Sequence, residues 1–159
     1  MRPISLAQLI YENVRFDVMA QIPEANRYVV NPTARTMLLY TNNYVPPFDN
    51  IEVRKALSLA IDRTAISEAL WPGLSTPTQG LLMPGTADAV PADNGTWDFD
   101  PEAAKAALAA SPTPGAKIRL SAAYIRGVDE VLVQAVQSQL QDAGFEVELN
   151  ISDFNTILG

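Results

Sequence analysis

The chain has 159 residues, 48% hydrophobic and 18% charged, a profile that suits one domain with a real core and excludes a disordered polymer. Eleven basic against 18 acidic residues leave a net charge of −7, which argues against nonspecific binding to nucleic acid or anionic membranes. Cysteine and histidine are absent, which removes disulfides, thiolate nucleophiles, imidazole bases and zinc sites of ordinary composition, and no apolar run is long enough to span a bilayer.

In chain order, Met1–Ile10 carries one charge and no long apolar stretch, so it does not read as a signal peptide. Residues 16–20 (F-D-V-M-A) and 36–41 (T-M-L-L-Y-T) are short apolar runs between polar residues and prolines, and read as strands. Pro46 and Pro47 then fix φ and remove two backbone donors, so no regular ladder continues through them. A helix is predicted over about 50–61. Asp49 or Asn50 can accept from its first free N–H groups, and Glu52 adds negative charge to its first turn. Val53, Ala56, Leu57, Ala60 and Ile61 form its apolar stripe, with Glu52, Lys55, Ser58 and Asp62 on the wet side.

A second helix starts near Asp62 and stops at Trp71-Pro72-Gly73. Residues 72–100 carry Pro72, Pro77, Pro84 and Pro91 with Gly73, Gly80, Gly85 and Gly95, and read as a long irregular connection that Leu81, Leu82 and Met83 pin to the core. Within it, Asn94-Gly95-Thr96 has the spacing of a glycosylation acceptor and reads as a turn. Asp100-Pro101-Glu102 supplies an N-cap, a proline at the first helical position and an acidic first turn, opening a short helix to Ala110.

Ile118, Leu120 and Ala122 alternate with Lys117, Arg119 and Ser121, as a half-buried strand requires. Val128, Val131, Leu132, Ala135, Val136 and Leu140 mark a helix face over about 128–143, and Gly144 stands where a left-handed cap is needed. Phe145, Val147, Leu149 and Ile151 alternate with Glu146, Glu148 and Asn150. This strand–helix–strand predicts two neighbouring parallel strands joined by a right-handed crossover, and an α/β fold class.

The run from Asn42 to Ile66 resembles the segment N-x-x-x-P-P-F-x-D-x-x-V-R-x-A-L-x-x-A-I-D-R-x-x-I of bacterial extracellular solute-binding proteins of family 5, through Pro46, Pro47, Phe48, Val53, Arg54, Ala56, Leu57, Ala60, Ile61, Asp62, Arg63 and Ile66. Residues 2–22, 98–110 and 117–151 are similar to flanking parts of the same family, with Val14-Arg15-Phe16-Asp17 in place of its G-E-V-D, Phe99 for a tyrosine and Ala104 for a lysine. The resemblance implies one lobe of a type II periplasmic-binding-protein fold, a mixed sheet flanked by helices, with residues 1–159 a single domain from the second lobe of a longer receptor. It further implies a substrate-binding component of an ABC importer, not an enzyme. That component would hold a peptide, metal chelate, sugar or opine between two lobes and dock on permease subunits. It would stand in the periplasm or as a lipoprotein on the cell surface.

Tyr124 and Arg126 follow a strand's carboxyl end, where open α/β sheets collect ligands. The guanidinium can fork onto a carboxylate, the phenol can stack or donate, and the resemblance places this loop near the ligand. Asn42 and Tyr44, with Tyr40 and Asn43, follow another predicted strand end and are expected at the same edge. Trp71 and Trp97 are expected to staple the irregular connection to the core. No cofactor or metal ligand set is expected. Asp62 reads as a helix cap and Arg54 as a partner in local ion pairs. The competing reading is a small α/β enzyme using the carboxylates Asp49, Glu52, Asp62 and Asp129, none of which forms a recognisable catalytic pair, and no glycine-rich phosphate loop follows a strand.

Overall fold

The computed structural model describes residues 37–73, 75–80, 82, 86–87, 89, 97–123 and 130–152. The elements in order are α1 (Ile51–Leu59), α2 (Arg63–Leu70), α3 (Pro101–Ala110), β1 (Lys117–Ala123), α4 (Glu130–Asp142) and β2 (Glu146–Ser152). Residues 16–20 and the Asn94-Gly95-Thr96 turn lie outside the described residues.

Helices α1, α2 and α3 each begin where a side chain replaces the missing intrahelical acceptor. Asn50 caps α1, its Oδ1 accepting from the Glu52 and Val53 amides at 2.8 and 3.4 Å. Asp62 caps α2 through the Ala65 amide at 2.8 Å, and Asp100 caps α3 through the Ala103 amide at 2.9 Å, with Pro101 opening the helix. The predicted wet side of α1 is only half exposed. Glu52 and Lys55 pair at 2.8 Å, and Ser58 is covered because the Arg63 guanidinium lies on it. Arg54 forms no local ion pair among the described residues; its Nη1 donates to the Phe48 and Asp49 carbonyls at 2.7 and 3.1 Å, closing the turn before α1.

Helix α4 ends in a Schellman motif. The Phe145 amide donates to the Leu140 carbonyl at 3.0 Å and the Gly144 amide to the Gln141 carbonyl at 2.9 Å. Gly144 has φ +99°, a conformation that L side chains rarely adopt. The turn sends the chain straight into β2, which pairs parallel with β1 in the register Lys117↔Glu146 to Ala123↔Ser152. Among the described residues these two strands are the whole sheet.

One face of the pair is apolar. Ile118, Leu120 and Val147 are buried there, and α4 packs over both strands. The other face carries Lys117 opposite Glu146 and Arg119 opposite Glu148, at 3.4 and 3.8 Å. The phase of α4 differs from the expectation. Val133 and Leu140 are buried and Val136 packs partly against the core, whereas Val131 is 52% exposed. Val131, Leu132 and Val133 span about 200° of helix, so one end of that triplet must face outward.

Helices α1 and α3 pack together and complete the core with Val53, Ala56, Leu57, Ala60, Ile61, Ala104 and Leu108. Gln139 of α4 ties this half to the other by accepting from the Asp62 amide at 2.9 Å. Residues 37–41 form no strand. A strand requires a ladder partner, none of the described strands offers one, and Met37, Leu39 and Tyr40 are exposed. Leu82 is exposed too, so it does not pin the connection; Leu81 and Met83 lie outside the described residues.

Candidate functional site

Parallel pairing puts the carboxyl ends of β1 and β2 on one edge, with Ala123 level with Ser152. Along the exposed face the chemistry changes from one end to the other. The amino-terminal rungs are charge pairs, while the carboxyl-terminal rungs are small and neutral. Asn150 Nδ2 donates to Ser121 Oγ at 3.4 Å, and Ser152 Oγ donates to Asn150 Oδ1 at 3.2 Å. Hydroxyls and amides at that edge can hydrogen-bond a polar solute without imposing a charge on it.

The chain leaves this edge at Ala123 toward Tyr124 and Arg126, which lie outside the described residues, as does Asp129. Asn42 and Tyr44 are described, and both are exposed, Tyr44 at 95%. They belong to a tight turn rather than to a strand end. Asn42 Oδ1 accepts from the Tyr44 amide at 3.1 Å, the Asn42 carbonyl accepts from Val45 at 3.4 Å, and Thr41 Oγ1 donates to Asn43 Oδ1 at 2.7 Å. This is an Asx turn, the local alternative that asparagine offers the backbone. It presents the two tyrosines Tyr40 and Tyr44 to solvent. The structure thus fixes two of the four predicted site residues as solvent-facing and leaves their meeting with the β1 edge unassigned.

Among the described residues, the carboxylates of the enzyme reading form no cluster of three. Glu52 is paired with Lys55, Asp62 is a helix cap, and Asp49 is exposed. Among the described residues no group of three or more His, Cys, Asp or Glu side chains is placed to hold a metal ion.

An open groove of about 410 Å³ lies where the α1–α2 junction meets both ends of the irregular connection, lined by Asp62, Arg63, Thr76, Gln79, Trp97 and Phe99 among others. Its polar groups are largely occupied by one another. Arg63 donates to three backbone carbonyls and the Ser58 hydroxyl, and burial holds its pKa below the ordinary arginine value. Trp71 and Trp97 are both half-buried, but neither is among the residues packed against the described core, and Trp97 is held by its backbone. Sequence reasoning assigned Arg63 no role. A signal existed: a cation at the first position of a helix opposes the dipole, so its side chain is expected to be engaged elsewhere.

A two-stranded parallel unit with a helical crossover and a packed helix pair fit an α/β lobe of the type II periplasmic-binding-protein fold, which similar solved structures share. The sequence pattern of bacterial extracellular solute-binding proteins, family 5 Middle, matches residues 7–158, and the chain belongs to that family. The glutathione-binding protein GsiB of Shigella flexneri serotype 5b (strain 8401) is 28% identical over 153 residues, which are 95% of this chain and 28% of GsiB. The chain therefore spans under a third of the length of that relative.

Two solved structures share the fold. AgaA from A. tumefaciens R10 in complex with agropinic acid is 30% identical with a TM-score of 0.63, over 74% of this chain and 24% of AgaA. The dipeptide-binding protein from Pseudoalteromonas sp. SM9913 in complex with Met-Leu is 28% identical with a TM-score of 0.60, over 74% of this chain and 24% of that protein. Among the described residues no helix is long and apolar enough to cross a membrane.

Proposed function

We propose that this chain is a single-domain piece of the second lobe of a solute receptor, the substrate-binding component of an ABC importer, and that it supplies one wall of a ligand cleft. The ligand is a peptide or a related small carboxylate, held between this lobe and the remaining lobe, and the closed receptor delivers it to the permease subunits. The receptor works in the periplasm or as a lipoprotein at the cell surface.

The observation that carries this reading is the parallel β1–β2 pair, whose carboxyl ends share one edge rimmed by Ser121, Asn150 and Ser152. Ligands of open α/β sheets collect at such edges. The chain passes from that edge directly to Tyr124 and Arg126, and Arg126 is the cation assigned to the ligand's carboxylate. Asn42 and Tyr44 are assigned as further contacts, consistent with their exposure. The relatives support the ligand class, since GsiB is a glutathione-binding protein and the two solved structures hold agropinic acid and Met-Leu. A chain with net charge −7 needs a local cation to hold such an anion. Closure of two lobes removes water from the guanidinium–carboxylate pair and strengthens it.

Titration calorimetry of the intact receptor with glutathione and with Met-Leu tests the assignment. Arg126→Ala is expected to weaken binding while leaving the melting temperature of the unliganded protein unchanged. Equal affinity in wild type and variant would remove Arg126 from the site. A wild-type receptor that takes neither compound would move the ligand away from peptides.

A further inference from the structure

One end of the connection between α2 and α3 returns to Arg63 at Trp97, and the other end joins the same peptide unit through Gln79. Arg63 Nη1 lies 3.2 Å from the Ser58 carbonyl, 3.3 Å from the Ile61 carbonyl and 3.3 Å from the Trp97 carbonyl, and Nη2 lies 2.9 Å from Ser58 Oγ. Among the described residues none of its acceptors is a carboxylate, so this half-buried guanidinium recovers its lost hydration from backbone and hydroxyl oxygens. Trp97 is gripped from its other side as well. Its amide donates to Gln79 Oε1 at 3.2 Å, and Gln79 Nε2 donates to the Asp98 carboxylate. Asp100, which caps α3, donates its amide to the Leu59 carbonyl of α1 at 3.0 Å. At the other end, the Ser67 and Ser75 hydroxyls are hydrogen-bonded.

The attachments named here are all polar. Of the three apolar residues expected to hold the connection, Leu82 is 46% exposed, and Leu81 and Met83 lie outside the described residues. Contacts of this kind exchange with water far more readily than buried apolar surface does, which is the signature of a unit that opens separately from a core. We propose that Arg63 is the positioning residue of a polar clasp that fixes residues 75–80 and 97–100 on the α1–α2 junction, and that the clasp opens as a unit independent of the apolar core. The inference does not depend on the ligand assignment, because no residue of the clasp belongs to the proposed ligand edge.

Hydrogen exchange on the intact protein, read by mass spectrometry, tests it. Arg63→Lys keeps the charge but offers one nitrogen, which cannot span the Ser58, Ile61 and Trp97 oxygens together. The Trp97 and Asp100 amides are expected to exchange at least about tenfold faster than in wild type, with β1 and β2 amides altered by less than about twofold. Gln79→Ala is expected to give the same local pattern at Trp97, and the double variant an effect smaller than the product of the two singles, because both side chains hold the same peptide unit. Unchanged protection at Trp97 in either variant overturns the clasp. So does a loss spread evenly over residues 97–100 and the two strands, or an Arg63→Lys protein that no longer folds, since each makes Arg63 an ordinary part of the core.

Discussion

The strand–helix–strand over residues 117–152 and the described parts of residues 51–100, α1 and α2 with the connection that follows, are held by different forces. In the first, buried Ile118, Leu120, Val133, Leu140, Phe145 and Val147 interlock at periods of two and 3.6, and hydrogen bonds mainly set register and termini. In the second, α1 contributes a true apolar face, but the connection that follows α2 is attached through Arg63, Gln79 and the Ser67–Ser75 pair. Apolar burial is non-directional and tolerates small shifts, whereas a polar clasp demands geometry and opens to water. The proposed ligand edge stands on the first kind of structure; the second kind leaves room for local opening.

The largest effect that tests this division comes from Leu140, which is fully buried at the end of α4 and takes part in the Schellman turn. Leu140→Ala is expected to cost about 2–5 kcal/mol, measured as a shift of the urea midpoint at constant slope. Leu57→Ala on α1 falls in the same range, about 2–5 kcal/mol. A cost below about 0.5 kcal/mol at Leu57 would show that the helix pair, too, depends on polar contacts, and the contrast between the regions would collapse.

Gly144 comes next. At φ +99° an alanine is strained, although its Cβ would meet only Leu108 Cδ2 at 3.6 Å, an ordinary contact. Gly144→Ala is expected to cost about 1–3 kcal/mol from backbone strain alone. Because the turn feeds β2, the loss should appear as faster exchange in β2 before it appears in α1. Equal loss in both would mean that the two regions unfold as one.

The periodicities explain why the first region was so legible. Alternation in 117–122 and 145–151, with Gly144 between, admits few arrangements, and the parallel register then places Ser121 beside Asn150 without further information. The phase of α4 was less legible because Val131, Leu132 and Val133 are consecutive and apolar; which of them turns inward depends on how the helix lies on the sheet. Residues 36–41 look like a strand by composition, yet a strand exists only with a partner, and composition does not name one. Arg63 shows the general limit. Its acceptor at Trp97 lies 34 residues away, so only its awkward place at a helix start hinted at its role. The candidate ligand edge was legible as a position, beyond the carboxyl end of β1, and not as a geometry.

Asn50 measures the second region at a finer scale. Its side chain accepts two amides at the start of α1, so Asn50→Ala is expected to cost about 1 kcal/mol and Asn50→Asp much less. Thermal or urea unfolding of the pair separates the cap from any effect of losing the amide donors. If both variants lose the same amount, the capping acceptor is not what stabilises α1.

The smallest expected effect concerns the outer face of the strand pair. Lys117–Glu146 and Arg119–Glu148 sit directly opposite in register, and their side chains are more than half exposed. Such pairs gain little Coulomb energy in water and lose side-chain entropy on ordering, so their worth is about 0–1 kcal/mol and falls with salt. Glu148→Gln is therefore expected to change stability by less than about 0.5 kcal/mol at physiological ionic strength. A larger loss would mean that the face is desolvated in the intact protein, because the same pair is worth more once water is excluded. Raising the salt concentration distinguishes the two cases: an exposed pair loses its contribution, whereas a covered one keeps it. The outcome decides whether the charged rungs of β1 and β2 are a solvated back wall or continue inward from the ligand edge beneath other parts of the protein.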